Sequence, residues 1–148
     1  MGYISSSNTS THDYASRIST SPLPRGIHLV TGFITEQLPP LPETGLLHLF
    51  VKHTSCGITI NENADPTVRT DMETSLDQLI REDEPFYRHV YEGPDDMPAH
   101  IKSSLVGVSV SLPIAKKQLN LGTWQGIYLC EFRNQGGARK LVATIIGD

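Results

Sequence analysis

The chain has 148 residues, 38% hydrophobic and 19% charged, with 12 Gly, 10 Pro and 2 Cys, a size that fills one domain and leaves no room for a second. No apolar run approaches the roughly 20 residues of a bilayer span, and the N-terminus lacks the basic-then-apolar order of a secretory signal. The net charge of −4 excludes nucleic acid as the main partner, because phosphate-backbone binding needs clustered Lys and Arg. Cys56 and Cys130 are too few for a disulfide framework or a cysteine-rich zinc site, which predicts a reducing compartment, the cytoplasm.

Residues 1–12 are rich in Ser and Thr and nearly free of apolar side chains, so they cannot offset the entropy of ordering and are expected as a loose tail ahead of one domain over 13–148. Met1-Gly2 with Ser6 fits the N-myristoylation pattern. One acyl chain without a basic patch anchors weakly, so membrane attachment is not expected. Residues 31–38 read as a short helix, and the prolines of 38–43 make a stiff surface loop.

Period-two alternation then marks strands. Leu47, Leu49, Val51 and His53 share one face, and Ile58, Ile60 and Glu62 share another. Asp65 is a good helix N-cap with Pro66 at the favoured first position, and Val68, Met72, Leu76, Leu79 and Ile80 form an apolar stripe. Arg69 lies only about 50° from the middle of that stripe at 100° per residue, and an inward arginine needs a partner. A second short helix is predicted from Asp96-Met97-Pro98 to Leu105, followed by alternation of Val106, Val108, Val110 and Leu112. Residues 124–133, a turn at Gln135-Gly136-Gly137 and residues 140–146 read as a C-terminal hairpin. With strands outnumbering helices and no regular strand-helix alternation, the fold class is α+β, a mainly antiparallel β-sandwich with two or three helices.

Charge is unevenly placed. Residues 61–96 hold 11 of the 16 acidic residues and only Arg69, Arg81 and Arg88 of the bases, so this segment carries −8 and the remainder +4. Such a segment is either a solvated face or a cation or metal-phosphate site. His53 and Glu62 each continue an apolar strand face, where an ionisable group is costly unless paired or coordinated. If residues 46–62 form one tight hairpin, the two lie roughly 20 Å apart at strand rise. His89 and His100 bracket the acidic Asp95-Asp96 turn, and imidazole with carboxylate suits a divalent ion, although the spacing matches no zinc signature. His12, His28 and His48 have no such company and read as structural or tail residues.

Gly122-Thr123-Trp124-Gln125-Gly126 offers a hydroxyl, a flat ring with a donor and an amide between two glycines, a set suited to a phosphate oxygen or a heteroaromatic ring. A bulged strand start with a packed Trp is the alternative. There is no Gly-x-Ser-x-Gly elbow and no Walker or dinucleotide fingerprint. Cys56 reads as a small packed thiol rather than a nucleophile.

His53-Thr54-Ser55, the stretch from Asn61 through Asp65-Pro66 to Arg69, the stretch from Tyr91-Glu92-Gly93-Pro94 through Asp95-Asp96 to His100 and Lys102, and Gly122-Thr123-Trp124-Gln125 together resemble the YjbQ-like family, whose members carry the name secondary thiamine-phosphate synthase enzyme. The resemblance runs from about Arg25 to Gly147, with Cys56-Gly57 standing where alanine or serine is the usual pattern. It implies a compact α+β sandwich and a homotrimer. It also implies transfer of a pyrimidinylmethyl group from its pyrophosphate to a thiazole phosphate with release of pyrophosphate. Carried onto this sequence, it makes His53, Glu62, His89 and His100 the catalytic set. It has His53, His89, His100, Asp95 and Asp96 hold a divalent metal, Mg or Zn, with Asp65 and Asp71 as further carboxylates. Arg69, Lys102, Thr123, Trp124 and Gln125 would then bind a small phosphorylated metabolite. The alternatives are a trimeric metal- or phosphometabolite-binding protein without turnover, and a metal-dependent hydrolase of a small phosphorylated metabolite.

Overall fold

The computed structural model describes residues 3–5 and 13–148. Its elements in chain order are β1 (Tyr3–Ser5), β2 (Tyr14–Ser19), β3 (Gly26–Leu29), α1 (Thr31–Thr35), β4 (Thr44–Val51), β5 (Cys56–Glu62), α2 (Pro66–Leu79), α3 (Asp96–Val106), β6 (Ser109–Ala115), β7 (Gln118–Leu119), β8 (Gln125–Glu131) and β9 (Lys140–Gly147). The strands form a six-stranded sheet ordered β1-β2-β9-β4-β6-β7 and a three-stranded sheet ordered β3-β8-β5. Every pairing is antiparallel. The α+β sandwich expected from the alternation is the architecture observed.

Alternation decides which residues meet inside. Leu47 and Leu49 of β4, Leu112 and Ile114 of β6 and Ile145 of β9 pack against Ile58 of β5 and Ile127 and Leu129 of β8, closing the core between the sheets. The other face of the small sheet presents Tyr128, Cys130 and Phe132. These meet Ala99 and Val106 of α3 and Met72 and Leu76 of α2. The molecule is therefore layered large sheet, small sheet, helices, and β8 is buried on both faces as a central strand. The large sheet's outer face leaves Leu46 and Ile146, which oppose each other in register, 52% and 60% exposed.

The C-terminal hairpin read from the sequence is not formed, and the condition of one tight hairpin over 46–62 is not met. β8 and β9 lie in different sheets, as do β4 and β5. Each connection arches from one layer to the other, because a strand paired on both sides within its own sheet has no edge left for its sequence neighbour. Val106 belongs to the end of α3 rather than to a strand, and α1 is shorter than the helix expected over 31–38. Asp65 caps α2 as expected, its Oδ1 accepting from Thr67 N at 2.9 Å. The helix lies shallowly, with Val68, Met72 and Leu76 half-buried and Leu79 exposed. Gly107 ends α3 at φ +98° and its N–H returns to Ser103 O at 2.9 Å, a left-handed conformation that favours glycine. Among the described residues no helix is long and apolar enough to cross a membrane. Within the expected tail, β1 pairs with β2. The rest of residues 1–12, including Met1-Gly2, Ser6 and His12, lies outside the described residues.

Candidate functional site

Helix α3 opens on Asp96, and one turn later its i+4 neighbour His100 lies on the same face. His100 Nε2 is 3.1 Å from Asp96 Oδ2. The segment between α2 and α3 returns His89 to the same oxygen, with Nε2 at 2.6 Å. Glu92 Oε2 stands 3.5 Å from that Nε2. One ligand atom from each of His89, Glu92, Asp96 and His100 lies within 4.8 Å of the others, the scale of a single coordination sphere.

The tautomer of His100 is set by its other nitrogen. Nδ1 lies 2.8 Å from the carbonyl oxygen of Thr54, which can only accept, so Nδ1 carries a proton. In a neutral ring Nε2 is then a bare lone pair facing a carboxylate oxygen, and the two repel unless a proton or a cation sits between them. A backbone carbonyl holding the far nitrogen of a histidine is the usual support of a metal-ligating imidazole.

Asp96 is 1% exposed. Burial works against its charge, but hydrogen bonding and the charges of Arg133 and His100 outweigh burial and hold its carboxyl below the usual carboxylate range. Arg133 completes this side: NH1 reaches Asp96 Oδ1 at 2.6 Å, Nε reaches Asp95 Oδ2 at 2.8 Å, and NH2 donates to Glu92 O at 2.9 Å. Arg133 and Glu92 were not among the residues singled out for the site. Arg133 follows the end of a distant strand, so no local pattern joins it to the aspartates, whereas Glu92 was visible as one more acid of the segment.

The remaining expected residues are dispersed. Asp95 turns its Oδ2 to Arg133 and to Asn134 N, so that oxygen supports the loop. His53 lines a cleft of about 470 Å³ together with Thr54 and His100. Its Nε2 accepts from Lys140 N at 2.8 Å, and burial and the charge of Arg139 lower its pKa, favouring the neutral ring. Lys102 is 1% exposed, ion-paired with Asp77, and lies 5.8 Å from the Phe132 ring centroid. Burial opposes the charge on Asp77, but bonds from Lys102 and Arg25 prevail and lower its pKa.

Glu62 sits at the far end of β5, opposite Gln125, and its Oε2 accepts from Asp65 N at 3.3 Å. Thr123, Trp124 and Gln125 gather at that same end, exposed. Six strand steps separate this end from the histidines, roughly 20 Å. Asp65 spends its carboxylate as a helix cap and Asp71 is exposed on α2. Arg69 turns inward as its angle predicts, 5.8 Å from the Tyr128 ring centroid, but meets no buried acid. His28 Nε2 contacts Pro24 O at 2.6 Å, and His48 Nδ1 contacts Ser111 Oγ at 2.9 Å. Burial pushes the Cys56 thiol up to about 11, consistent with a packed thiol.

A profile of the family described as UPF0047 protein YjbQ-like matches residues 16–148. The chain belongs to the YjbQ family. Within the family it is 54% identical to the UPF0047 protein YjbQ of Salmonella typhimurium over 137 residues, covering 91% of this chain and 99% of the relative. It is 47% identical to the UPF0047 protein MJ1081 of Methanocaldococcus jannaschii over 104 residues, 70% of this chain and 72% of the relative. Among solved structures, a conserved hypothetical protein from Thermus thermophilus matches at a TM-score of 0.75 with 38% identity, over 86% of this chain and 97% of that one. A protein of unknown function from Sulfolobus solfataricus shares the fold at a TM-score of 0.79 and 22% identity, over 93% of this chain and 99% of that one.

Proposed function

We propose that this YjbQ-family chain is a divalent-metal-dependent enzyme of a small phosphorylated metabolite, with the metal held by His89, Asp96 and His100 and approached by Glu92. The observation that carries the reading is the convergence of both Nε2 atoms on Asp96 Oδ2, with Thr54 fixing His100. A bound cation supplies Lewis-acid stabilisation of phosphate oxygens as charge develops on them. The chain's own contribution is to pre-orient the donors. Arg133 keeps Asp96 ionised from behind, and the Thr54 carbonyl holds the imidazole lone pair toward the site.

The specific reaction implied by the family resemblance is thiamine-phosphate synthesis. The carbon–oxygen bond to pyrophosphate breaks as the pyrimidinylmethyl carbon bonds the thiazole, and the leaving pyrophosphate takes the charge that a cation would neutralise. A second reading is a metal-dependent hydrolase, favoured by one feature: two imidazoles among four donors suit zinc better than magnesium, and zinc activates water.

The test is metal-stripped protein reloaded separately with Zn²⁺, Mn²⁺ and Mg²⁺. It is assayed for pyrophosphate release from the two synthase substrates and against a panel of phosphorylated metabolites. Turnover restored by one metal and lost in His100→Ala is the expected result. Tight metal binding without turnover on any substrate would make the protein a binding module instead.

A homotrimer forms part of the same proposal. The uncovered apolar face bearing Leu46, Phe50 and Ile146 supports association. Light scattering that shows a stable monomer at micromolar concentration would remove it. Both cysteines are free and buried, which suits a reducing compartment such as the cytoplasm.

A further inference from the structure

A cleft of about 380 Å³ shares His89 with the metal cluster. Its other walls come from the segment between α2 and α3 and from the first turn of α3, and include Asp83, Glu84, Tyr87, Val90 and Met97. No lysine or arginine lines it, although Arg81 and Arg88 belong to the same segment. Other acids of the chain are paired: Asp77 and Glu82 with Arg25, Asp95 and Asp96 with Arg133, and Glu131 with Arg139. Asp83 and Glu84 enter no ion pair among the described residues. Tyr87 is held in place beside them. Its hydroxyl donates to Arg81 O at 3.0 Å and its N–H to Glu84 O at 3.1 Å. Burial and the Glu84 charge raise its pKa, so that carboxylate lies near the phenol. Val90 remains 52% exposed.

We infer that this cleft receives the non-phosphate part of the substrate, and that this part is an organic cation, an amine or ammonium group on an apolar stem. The inference rests on the metal-centre reading for joining the two ends in one molecule. Two unpaired carboxylates with no base to offset them repel a phosphate from the cleft, which leaves it the His89–Asp96–His100 end. The far end of the substrate then meets Asp83, Glu84 and the Tyr87 ring. Carboxylates and an aromatic face both attract positive charge. The stem packs on Val90 and on Met97, whose unbranched thioether adapts to irregular shapes. A few charged groups on otherwise apolar walls are what orients a small ligand in a cleft of this size. The substrate class is therefore a phosphorylated amine rather than a neutral sugar phosphate.

The test is titration of the full chain with benzylamine, benzyl alcohol and benzoate in the presence of EDTA, so that the cleft is read without metal. The Met97 methyl resonance is followed in ¹H–¹³C spectra. Saturable movement with the amine, binding of the alcohol about tenfold weaker and no response to benzoate are the expected results. Asp83→Asn combined with Glu84→Gln should bring amine and alcohol within about twofold of each other. Three results would overturn the proposal: no saturable shift with the amine at tens of millimolar, equal binding of amine and alcohol by the wild type, or benzoate binding as tightly as the amine. A second arm compares O-phosphoethanolamine in EDTA and after loading with Zn²⁺. Tighter binding with Zn²⁺ supports one substrate spanning both ends. If the amine preference holds in EDTA and Zn²⁺ adds nothing, the metal-centre reading fails and the cleft stands as a cation site of its own.

Discussion

Glu131 and Asp96 are equally buried, each 1% exposed, and they are neutralised in opposite ways. Glu131 is closed on all sides: Arg139 Nε donates to Oε1 at 2.7 Å, Arg139 NH2 donates to Oε2 at 2.5 Å, and Arg133 N donates to Oε2 at 3.1 Å. Arg139 NH2 also donates to Ser55 O at 3.2 Å and Ser55 Oγ at 3.0 Å. Asp96 has an arginine on one oxygen only, while the other faces two imidazoles that water can reach, His89 exposed and His100 half-buried. The difference separates a carboxylate whose geometry is complete from one whose geometry is complete only with a further cation. Burial alone would have scored the two alike.

The largest expected effect breaks the closed pair. Glu131→Gln leaves the Arg139 charge buried without its counter-ion and should cost about 3–5 kcal/mol of stability, with or without metal. Urea denaturation in EDTA and in Zn²⁺ should show the same loss in both. A loss of under about 1 kcal/mol would place the pair with ordinary surface bridges. Next in size is the open carboxylate. Asp96→Asn should weaken metal binding by about a hundredfold or more, and calorimetric titration of the stripped protein measures it. In EDTA the fold should be less affected than by Glu131→Gln, because Arg133 is part-exposed and keeps Asp95 as a partner. Unchanged metal affinity in Asp96→Asn would make the cluster a histidine–aspartate salt bridge and nothing more.

Much of this contrast was legible beforehand and part was not. Alternation in β4 and β5, the Asp65-Pro66 start of α2 and the Asp96-Met97-Pro98 start of α3 are local signals, and each element formed where its pattern placed it. His100 beside Asp96 is also local, since i and i+4 share a helix face. Which sheet a strand joins is not local. The alternation of β8 and β9 is equally compatible with a hairpin and with an arch between layers, and only burial of β8 on both faces decides between them. Arg139 and Glu131 carry no pattern that reveals their pairing, and neither does Arg133 with Asp96. Lys102 looked available for phosphate because sequence shows its charge but not the Asp77 carboxylate that α2 brings over it.

His53 sharpens the comparison from the closed side. Its neutral Nε2 accepts Lys140 N–H, and its folded pKa lies below the ordinary histidine value because of burial first and the Arg139 charge second. The unfolded chain therefore binds the proton more readily. The stabilisation is present above about pH 6.5, the unfolded value, and is lost as pH falls from there through the lower folded value. His53→Gln keeps an acceptor but cannot titrate, so its stability should fall less steeply than that of the wild type below pH 6.5. Denaturation curves at several pH values compare the two slopes. Equal slopes would mean that His53 gains no neutral preference from this environment.

The smallest effect concerns Cys56, which pairs in register with Glu131 and whose carbonyl accepts from Ser103 Oγ at 2.7 Å. Burial raises its pKa to about 11 and that of Cys130 to about 12. At pH 8 almost no thiolate is present in the folded chain, and the thiolate is the form that reacts. Native protein treated with iodoacetamide should therefore remain unmodified at both cysteines, while the same treatment in urea should modify both. Glu131→Gln makes the experiment discriminating. If the Glu131–Arg139 pair is what closes this end, loosening it should let Cys56 react sooner than Cys130, which sits on the helix-facing side of β8. Equal rates for the two thiols in that variant would mean that the layers open together and that the buried pair does not hold its end shut independently.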